Sequence, residues 1–234
     1  MDFDGRNVVV TGGTGALGVA VVTALIEAGA ICHIPYRHAS EADRFSAQNQ
    51  SRIKLYAGIE LSDGEKVEQL FAGPPTLWAS IHIAGGFAFG ALKDTDEATL
   101  RQQVESNFIS CALCCRAAVQ AFARSGLGGG RIVNIAARPA LEWRSGANTT
   151  AYAASKAAVA ALTVALAEEV AKDGILVNAV APSIMDTAVN RKSMPGADFS
   201  TWPKVEEVAA TILFLASPAN AVTRGAIVPV YGRA

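Results

Sequence analysis

A chain of 234 residues, 51% hydrophobic and 18% charged, has enough apolar surface for a substantial core, and no linker divides it. Its formal net charge of −1 offers little to nucleic acid or to an acidic surface. No apolar run reads as a membrane span, the start Met1-Asp2-Phe3-Asp4 is no signal peptide, and a cytoplasmic location is expected.

The first expected strand is Val8-Val9-Val10, which stops at Thr11 and runs into Gly12, Gly13, Gly15 and Gly18. A helix follows, with Leu17, Val21, Leu25 and Ala28 on one face. Strand, glycine turn and helix suit a dinucleotide's pyrophosphate, because bare backbone and a helix N-terminus both face it. Gly12, Thr14, Gly15, Ala16 and Leu17 are the candidate contacts. A second strand is expected over 30–36, ending at Arg37. An acid at such a strand end would bond the ribose 2′-hydroxyl, whereas arginine accommodates a 2′-phosphate. Here the acid is absent and Arg37 is present, so NADP(H) is expected to be preferred over NAD(H).

Downstream, a polar helix is expected over 40–50 and a third strand over 52–56. Ser62 or Asp63 should cap a helix through Val67, Leu70 and Phe71. A fourth strand over 78–83 ends at Ala84-Gly85-Gly86, small residues suited to a ligand crevice. One long helix covers 96–124, followed by a fifth strand over 131–135 and a loop to Thr150. A helix over 152–171, a strand over 176–180, a helix over 203–216 and a strand over 226–230 complete the chain. This alternation predicts an α/β fold: one Rossmann-type, doubly wound parallel sheet of about seven strands, in a single domain over 1–234.

Cys111, Cys114 and Cys115 fall on one apolar face of the long helix, where thiols act as small hydrophobes. His33, His38 and His82 lie at no ligand spacing from them, and no metal is expected.

Tyr152 and Lys156 stand four apart on a helix and so share a face. An ammonium beside a phenol lowers the phenol's pKa, so tyrosine can exchange a proton near neutral pH.

With that pair on the page, the chain resembles the short-chain dehydrogenase/reductases from end to end. The matching pieces are TGGTGALG at 11–18, Ala84-Gly85, Asn107, RIVNI at 131–135, YAASK at 152–156 and VNAVAPS with Thr187. The resemblance implies that Tyr152 is the proton donor, that Lys156 tunes it and grips the nicotinamide ribose, and that Asn107 holds a relay water. It also implies that 182–187, with Pro182, Ile184 and Thr187, lines the nicotinamide, and that Glu60 and Leu61 neighbour the adenine. A homodimer or homotetramer through the two long helices is implied, acting on a small-molecule substrate, with no nucleic-acid or membrane partner.

The chain departs from that pattern in informative places. Ala16 replaces the middle glycine of the usual loop, although TGxxGxxG fits fully, and His82-Ile83 replaces an asparagine pair. The substrate-orienting serine after the fifth strand is missing: 131–144 contains no hydroxyl side chain, and its position falls on Ala136 or Ala137, with Arg138 next. Segments 185–187, 190–195 and 197–202, with Ala84-Gly85-Gly86-Phe87 and the Ala137-Arg138 step, resemble the dihydropteridine reductases, a branch that also has alanine there. The expected activity is therefore an NAD(P)H-dependent reductase for an activated acceptor such as a quinonoid pterin. The alternatives are a carbonyl or 3-oxoacyl reductase and a non-catalytic dinucleotide sensor.

Overall fold

A computed structural model describes residues 2–42 and 51–233. Seven parallel strands form one sheet: β1 (Asn7–Thr11), β2 (Ile31–Tyr36), β3 (Ile53–Ala57), β4 (Ala79–His82), β5 (Gly130–Ile135), β6 (Ile175–Pro182) and β7 (Ile227–Val230). Their order across the sheet is β3-β2-β1-β4-β5-β6-β7, so the chain reverses direction of winding beside β1. That is the switch point where a crevice opens outside the carboxyl ends of the strands. The fold class read from the sequence is the one observed.

Both faces of the sheet are covered, and alternation along each strand divides the core in two. Val8 and Val10 of β1 point to one face, packing with α1 (Ala16–Glu27) and the last helix (Val205–Ala216). Val9 points to the other, packing with α3 (Gly64–Phe71), α5 (Ser110–Ser125) and α7 (Thr150–Glu169). The short helix α2 (Ala39–Ala42) opens the expected polar helix, whose remaining residues, 43–50, lie outside the described ones. Asp63, rather than Ser62, caps α3, accepting from Glu65 N and Lys66 N.

The long helix is continuous but not uniform. Asp96 caps α4 (Glu97–Gln103), a π-helical stretch spans Val104–Ile109, and α5 carries on to Gly126, which closes it in the left-handed region. Between β5 and α7, where only a loop was expected, lie α6 (Arg138–Leu141), with proline in its first turn, and a 3₁₀ turn (Trp143–Gly146). Pieces this short carry no readable period. A further turn, α8 (Ala188–Ser193), precedes the last helix, α9.

One exclusion read from the sequence needs correcting. By length and composition, α7 could cross a membrane. Here it lies on the sheet, with Val159, Ala160, Thr163 and Ala167 turned inward.

Candidate active site

The crevice is built on the glycine loop. Gly12 has φ of +66°, and a Cβ there would stand 2.6 Å from Ala84 N, so loop and β4 terminus touch through bare backbone. A Cβ at Gly18 would come within 2.0 Å of Gly12 O, which makes Gly18 the glycine that lets α1 close on the loop. Gly15 is the N-cap of α1 and makes no side-chain cap bond. A Cβ on it would touch only Gly12 O, at 3.4 Å. The first N–H groups of α1, from Ala16 and Leu17, have no intrahelical partner, which is what an anion such as a pyrophosphate needs at a helix N-terminus. The Leu17 side chain itself is buried in the core, so only its backbone is offered. Ala16 therefore costs the loop nothing, because Gly15 and Gly18 supply the openness.

At the adenosine end the structure corrects the sequence. Arg37 is exposed and pairs with Glu60, Nη1 to Oε2 at 3.3 Å, so a carboxylate does oppose it. A second carboxylate, Glu41, reaches the glycine loop: its Oε2 accepts from Thr14 Oγ1 at 2.8 Å, and its Oε1 accepts from His38 N at 3.0 Å. Neither pairing is visible as a spacing, although Glu41 follows closely on Arg37. Leu61 packs against the core beneath this end.

At the other end, Asn107 and Lys156 meet beside Gly85, and Tyr152 stands one turn before the lysine on α7. Asn107 is buried in the π-helical stretch, a distortion common at functional positions. Its Oδ1 accepts from Gly86 N, and its Nδ2 donates to Gly86 O and to Ser155 Oγ. Ser155 in turn donates to Tyr152 O at 2.8 Å, so Asn107 is tied to the first turns of α7. Lys156 is buried, and its Nζ donates to Ile135 O at 2.8 Å. A Cβ on Gly85 would meet Asn107 Oδ1 at 2.5 Å and Lys156 Nζ at 3.3 Å, which explains the glycine.

The proton affinities differ from the expectation. Burial pushes the Tyr152 phenol up to about 12, and lysine does not bring it down in this state. Burial also lowers Lys156 to about 8, with Cys111 pulling the other way. The lysine's ammonium is spent on the β5 carbonyl, and dehydration dominates both groups. The phenol therefore stays protonated at neutral pH in this state.

Phe87, which sequence reasoning gave no role of its own, stands edge-on to Tyr152 with ring centroids 5.0 Å apart. It is 65% exposed, an aromatic face beside the phenol. Ala136 and Ala137 are buried at the end of β5, and the neighbouring Arg138 pairs with Glu142. Beyond Pro182, Ile184 is exposed, and Thr187 caps α8 by accepting from Asn190 N. The rest of that segment is tied internally. Arg191 bonds both oxygens of Asp186 at 2.5 and 2.7 Å and lies over Phe199, which packs on Trp202.

Behind the site lies a polar cluster the sequence did not reveal. Contrary to the spacing argument, His82 reaches Cys111 and Cys115, because β4 packs under α5. His82 Nδ1 (2.8 Å), Cys111 Sγ (3.3 Å) and Cys115 Sγ (3.5 Å) all donate to Asn134 Oδ1, while Ser80 Oγ bonds His82 Nε2. The amide oxygen occupies the focus of the three ligand atoms. Among the described residues no buried side-chain nitrogen or oxygen lacks a partner.

A doubly wound sheet with an open glycine loop at its switch point, and a tyrosine and lysine one turn apart at its far lip, is the frame of a nicotinamide-dependent oxidoreductase. The chain belongs to the short-chain dehydrogenase family, whose profile matches residues 6–198, and is an NAD(P)-dependent oxidoreductase. It is 32% identical to galactitol 2-dehydrogenase of Rhizobium johnstonii, over 97% of this chain and 94% of that protein. It is 31% identical to cis-4-hydroxycyclohexanecarboxylate dehydrogenase of Sinomonas cyclohexanicum, covering 98% and 96%. Among solved structures, ElxO with NADP bound superposes with a TM-score of 0.86 at 25% identity, covering 97% and 98%. A short-chain type dehydrogenase/reductase from Mycobacterium ulcerans superposes with a TM-score of 0.89 at 24% identity, covering 100% and 90%.

Proposed function

We propose that this chain is a reductase acting as one domain over 1–234, in which Tyr152 protonates a substrate that does not need a serine to polarise it. A bound nicotinamide supplies the hydride. The chain's own residues do the rest: Tyr152 holds the proton at its hydroxyl, Lys156 and Asn107 fix the floor beside Gly85 and Gly86, and Phe87 offers an aromatic face. The observation that carries this reading is the apolar end of β5, where Ala136 and Ala137 are buried and no hydroxyl follows through Arg144. A carbonyl oxygen becoming an alkoxide benefits from a second donor, worth about 10² to 10³ in rate. A quinonoid pterin spreads the arriving charge over its ring and takes its proton on nitrogen, so it needs that donor less. NADP(H) is the preferred dinucleotide, held by Arg37, and the subunits pair through α5 and α7 as a dimer or tetramer.

A second reading, an alcohol dehydrogenase or carbonyl reductase, is favoured by the relatives, since galactitol 2-dehydrogenase is alike over nearly the whole chain. Oxidation of NADPH and NADH should be followed with quinonoid dihydropterin, simple ketones and a 3-oxoacyl thioester. Turnover of the pterin with weak ketone activity supports the first reading, and the reverse supports the second. Tight binding without turnover of any substrate would leave a dinucleotide sensor.

A further inference from the structure

We infer that His82, Cys111, Cys115 and Asn134 form a site for one thiophilic divalent cation, zinc by their donor set, buried behind the reaction end. The ligand atoms are His82 Nδ1, the two Sγ atoms and Asn134 Oδ1, on which the other three converge. Those three lie within 4.8 Å of one another. Four edges of the group measure 2.8 Å (Nδ1 to Oδ1), 3.3 and 3.5 Å (Cys111 and Cys115 Sγ to Oδ1) and 3.6 Å (Cys115 Sγ to Nδ1). A tetrahedral zinc ion, with bonds of about 2.0 to 2.3 Å, sets its ligands about 3.3 to 3.8 Å apart. Three of the four edges already have that spacing. Only Oδ1 must draw back from His82, by about half an ångström.

The donors suit both the cation and the depth, and all four side chains are buried. A bare dication would be prohibitive here, but two thiols that each give up a proton neutralise it. The ion enters, two S–H bonds break, two metal–sulfur bonds form and two protons leave. The outer partners are in place as well. Without an ion, His82 Nδ1–H donates to Asn134, so Nε2 accepts from Ser80 Oγ at 2.7 Å. With the ion on Nδ1, the ring proton moves to Nε2 and the Ser80 hydroxyl turns to accept it. Thr163 gives its own proton to Val159 O at 2.8 Å and so accepts from Asn134 Nδ2 at 2.9 Å, which keeps Oδ1 turned toward the site. Four protein ligands leave no open coordination position, so the ion staples β4, β5 and α5 together and does not meet substrate.

A cluster held by hydrogen bonds alone is a clear rival, since Asn134 already satisfies all three donors. The two readings part when a cation is offered. The inference uses none of the residues assigned to the dinucleotide or the proton, so it stands or falls apart from the proposed reductase.

The test offers cobalt(II), and then zinc(II), to the reduced full chain, both as folded protein and during refolding, so that depth is no barrier. Thiolate-to-cobalt charge-transfer absorption should appear, saturate at one ion per chain and vanish on adding zinc, and the melting temperature should rise with either ion. Cys111→Ala and Cys115→Ala should each weaken binding by more than the 10- to 100-fold or so that an outer partner is worth. Cys114→Ala, equally buried on the same helix but outside the cluster, should leave binding unchanged. A folded chain that gives no charge-transfer absorption overturns the inference. So does absorption that persists undiminished in Cys111→Ala and Cys115→Ala, or that falls equally in Cys114→Ala. Should either ligand variant fail to fold, His82→Gln decides, and an unchanged cobalt affinity there overturns the inference equally.

Discussion

Asn107 and Gly86 exchange two hydrogen bonds: Gly86 N donates to Oδ1 at 3.0 Å, and Nδ2 donates back to Gly86 O at 3.0 Å. The side chain thus completes both backbone groups of a residue that follows β4, from a helix that would otherwise pass it by. Asn107→Ala should leave both Gly86 groups unpaired. Gly86 is only half-buried, so water can satisfy part of what is lost, and a destabilisation of about 1 to 2 kcal/mol is expected. Turnover should fall at least about tenfold as Ser155 and Tyr152 lose their tether. Thermal melts and steady-state rates read the two effects separately.

Tyr152→Phe removes one hydroxyl and almost no packing. Turnover is expected to drop by about 10² to 10⁴, the usual worth of a positioned acid, while NADPH affinity stays within about twofold. A variant that retained most of its rate would place the proton source elsewhere.

Lys156 should impose the alkaline limit. Its pKa is lowered to about 8 by burial, so the ammonium is present below that pH and is lost as pH rises through it. The phenol, at about 12, remains protonated throughout. kcat/KM for NADPH oxidation should therefore decline above about pH 8. Lys156→Arg, whose charge does not titrate, should lose that limb even if its rate is lower. A limb unchanged in Lys156→Arg would assign it to another group.

Ala137→Ser restores a hydroxyl at the end of β5. Activity on simple ketones is expected to rise toward the 10²-fold or so that such a donor supplies, while activity on quinonoid dihydropterin stays level. Steady-state rates of both proteins on both substrates decide the matter, and a native protein already efficient on ketones would support the second reading.

His33 predicts an acid weakness remote from the site. It is buried between Tyr56 Oη at 2.7 Å and Asn7 Oδ1 at 2.9 Å. Burial first, and Lys54 second, lower its pKa from 6.5 to about 4. The unfolded chain therefore binds more protons between those values, so stability is intact above pH 6.5 and falls as pH drops toward 4. The loss should approach about 3 kcal/mol. His33→Gln should flatten this part of a denaturant-midpoint profile.

What could be read in advance was whatever depends on local period and turn chemistry. The run of valines, the glycine loop, the long helix from Asp96 and its glycine stop are all short-range signals, and the parallel sheet follows from alternation of strands with helices. The cysteines were legible as a buried helical face. Their meeting with His82 was not, because it depends on how α5 lies over β4. The Arg37–Glu60 and Thr14–Glu41 pairs join segments 23 and 27 residues apart, and no spacing rule reaches that far. The direction of Lys156 was likewise hidden. Sequence places it near Tyr152, but whether its ammonium serves the phenol or the Ile135 carbonyl depends on depth.

All four cysteines, Cys32, Cys111, Cys114 and Cys115, are free and buried, three of them behind the reaction end and one in the neighbouring strand β2. A thiol shut inside a packed core meets a water-soluble disulfide reagent only when that part of the protein opens. The chain thus carries its own opening clock. The rate at which Cys32 reacts reports excursions of the nucleotide-side strands, and the rates of the α5 thiols report excursions of the helix beneath Tyr152. A bound dinucleotide that braces the glycine loop would slow the two sets unequally, so the molecule can be interrogated for ligands without a substrate, a label or an added tryptophan.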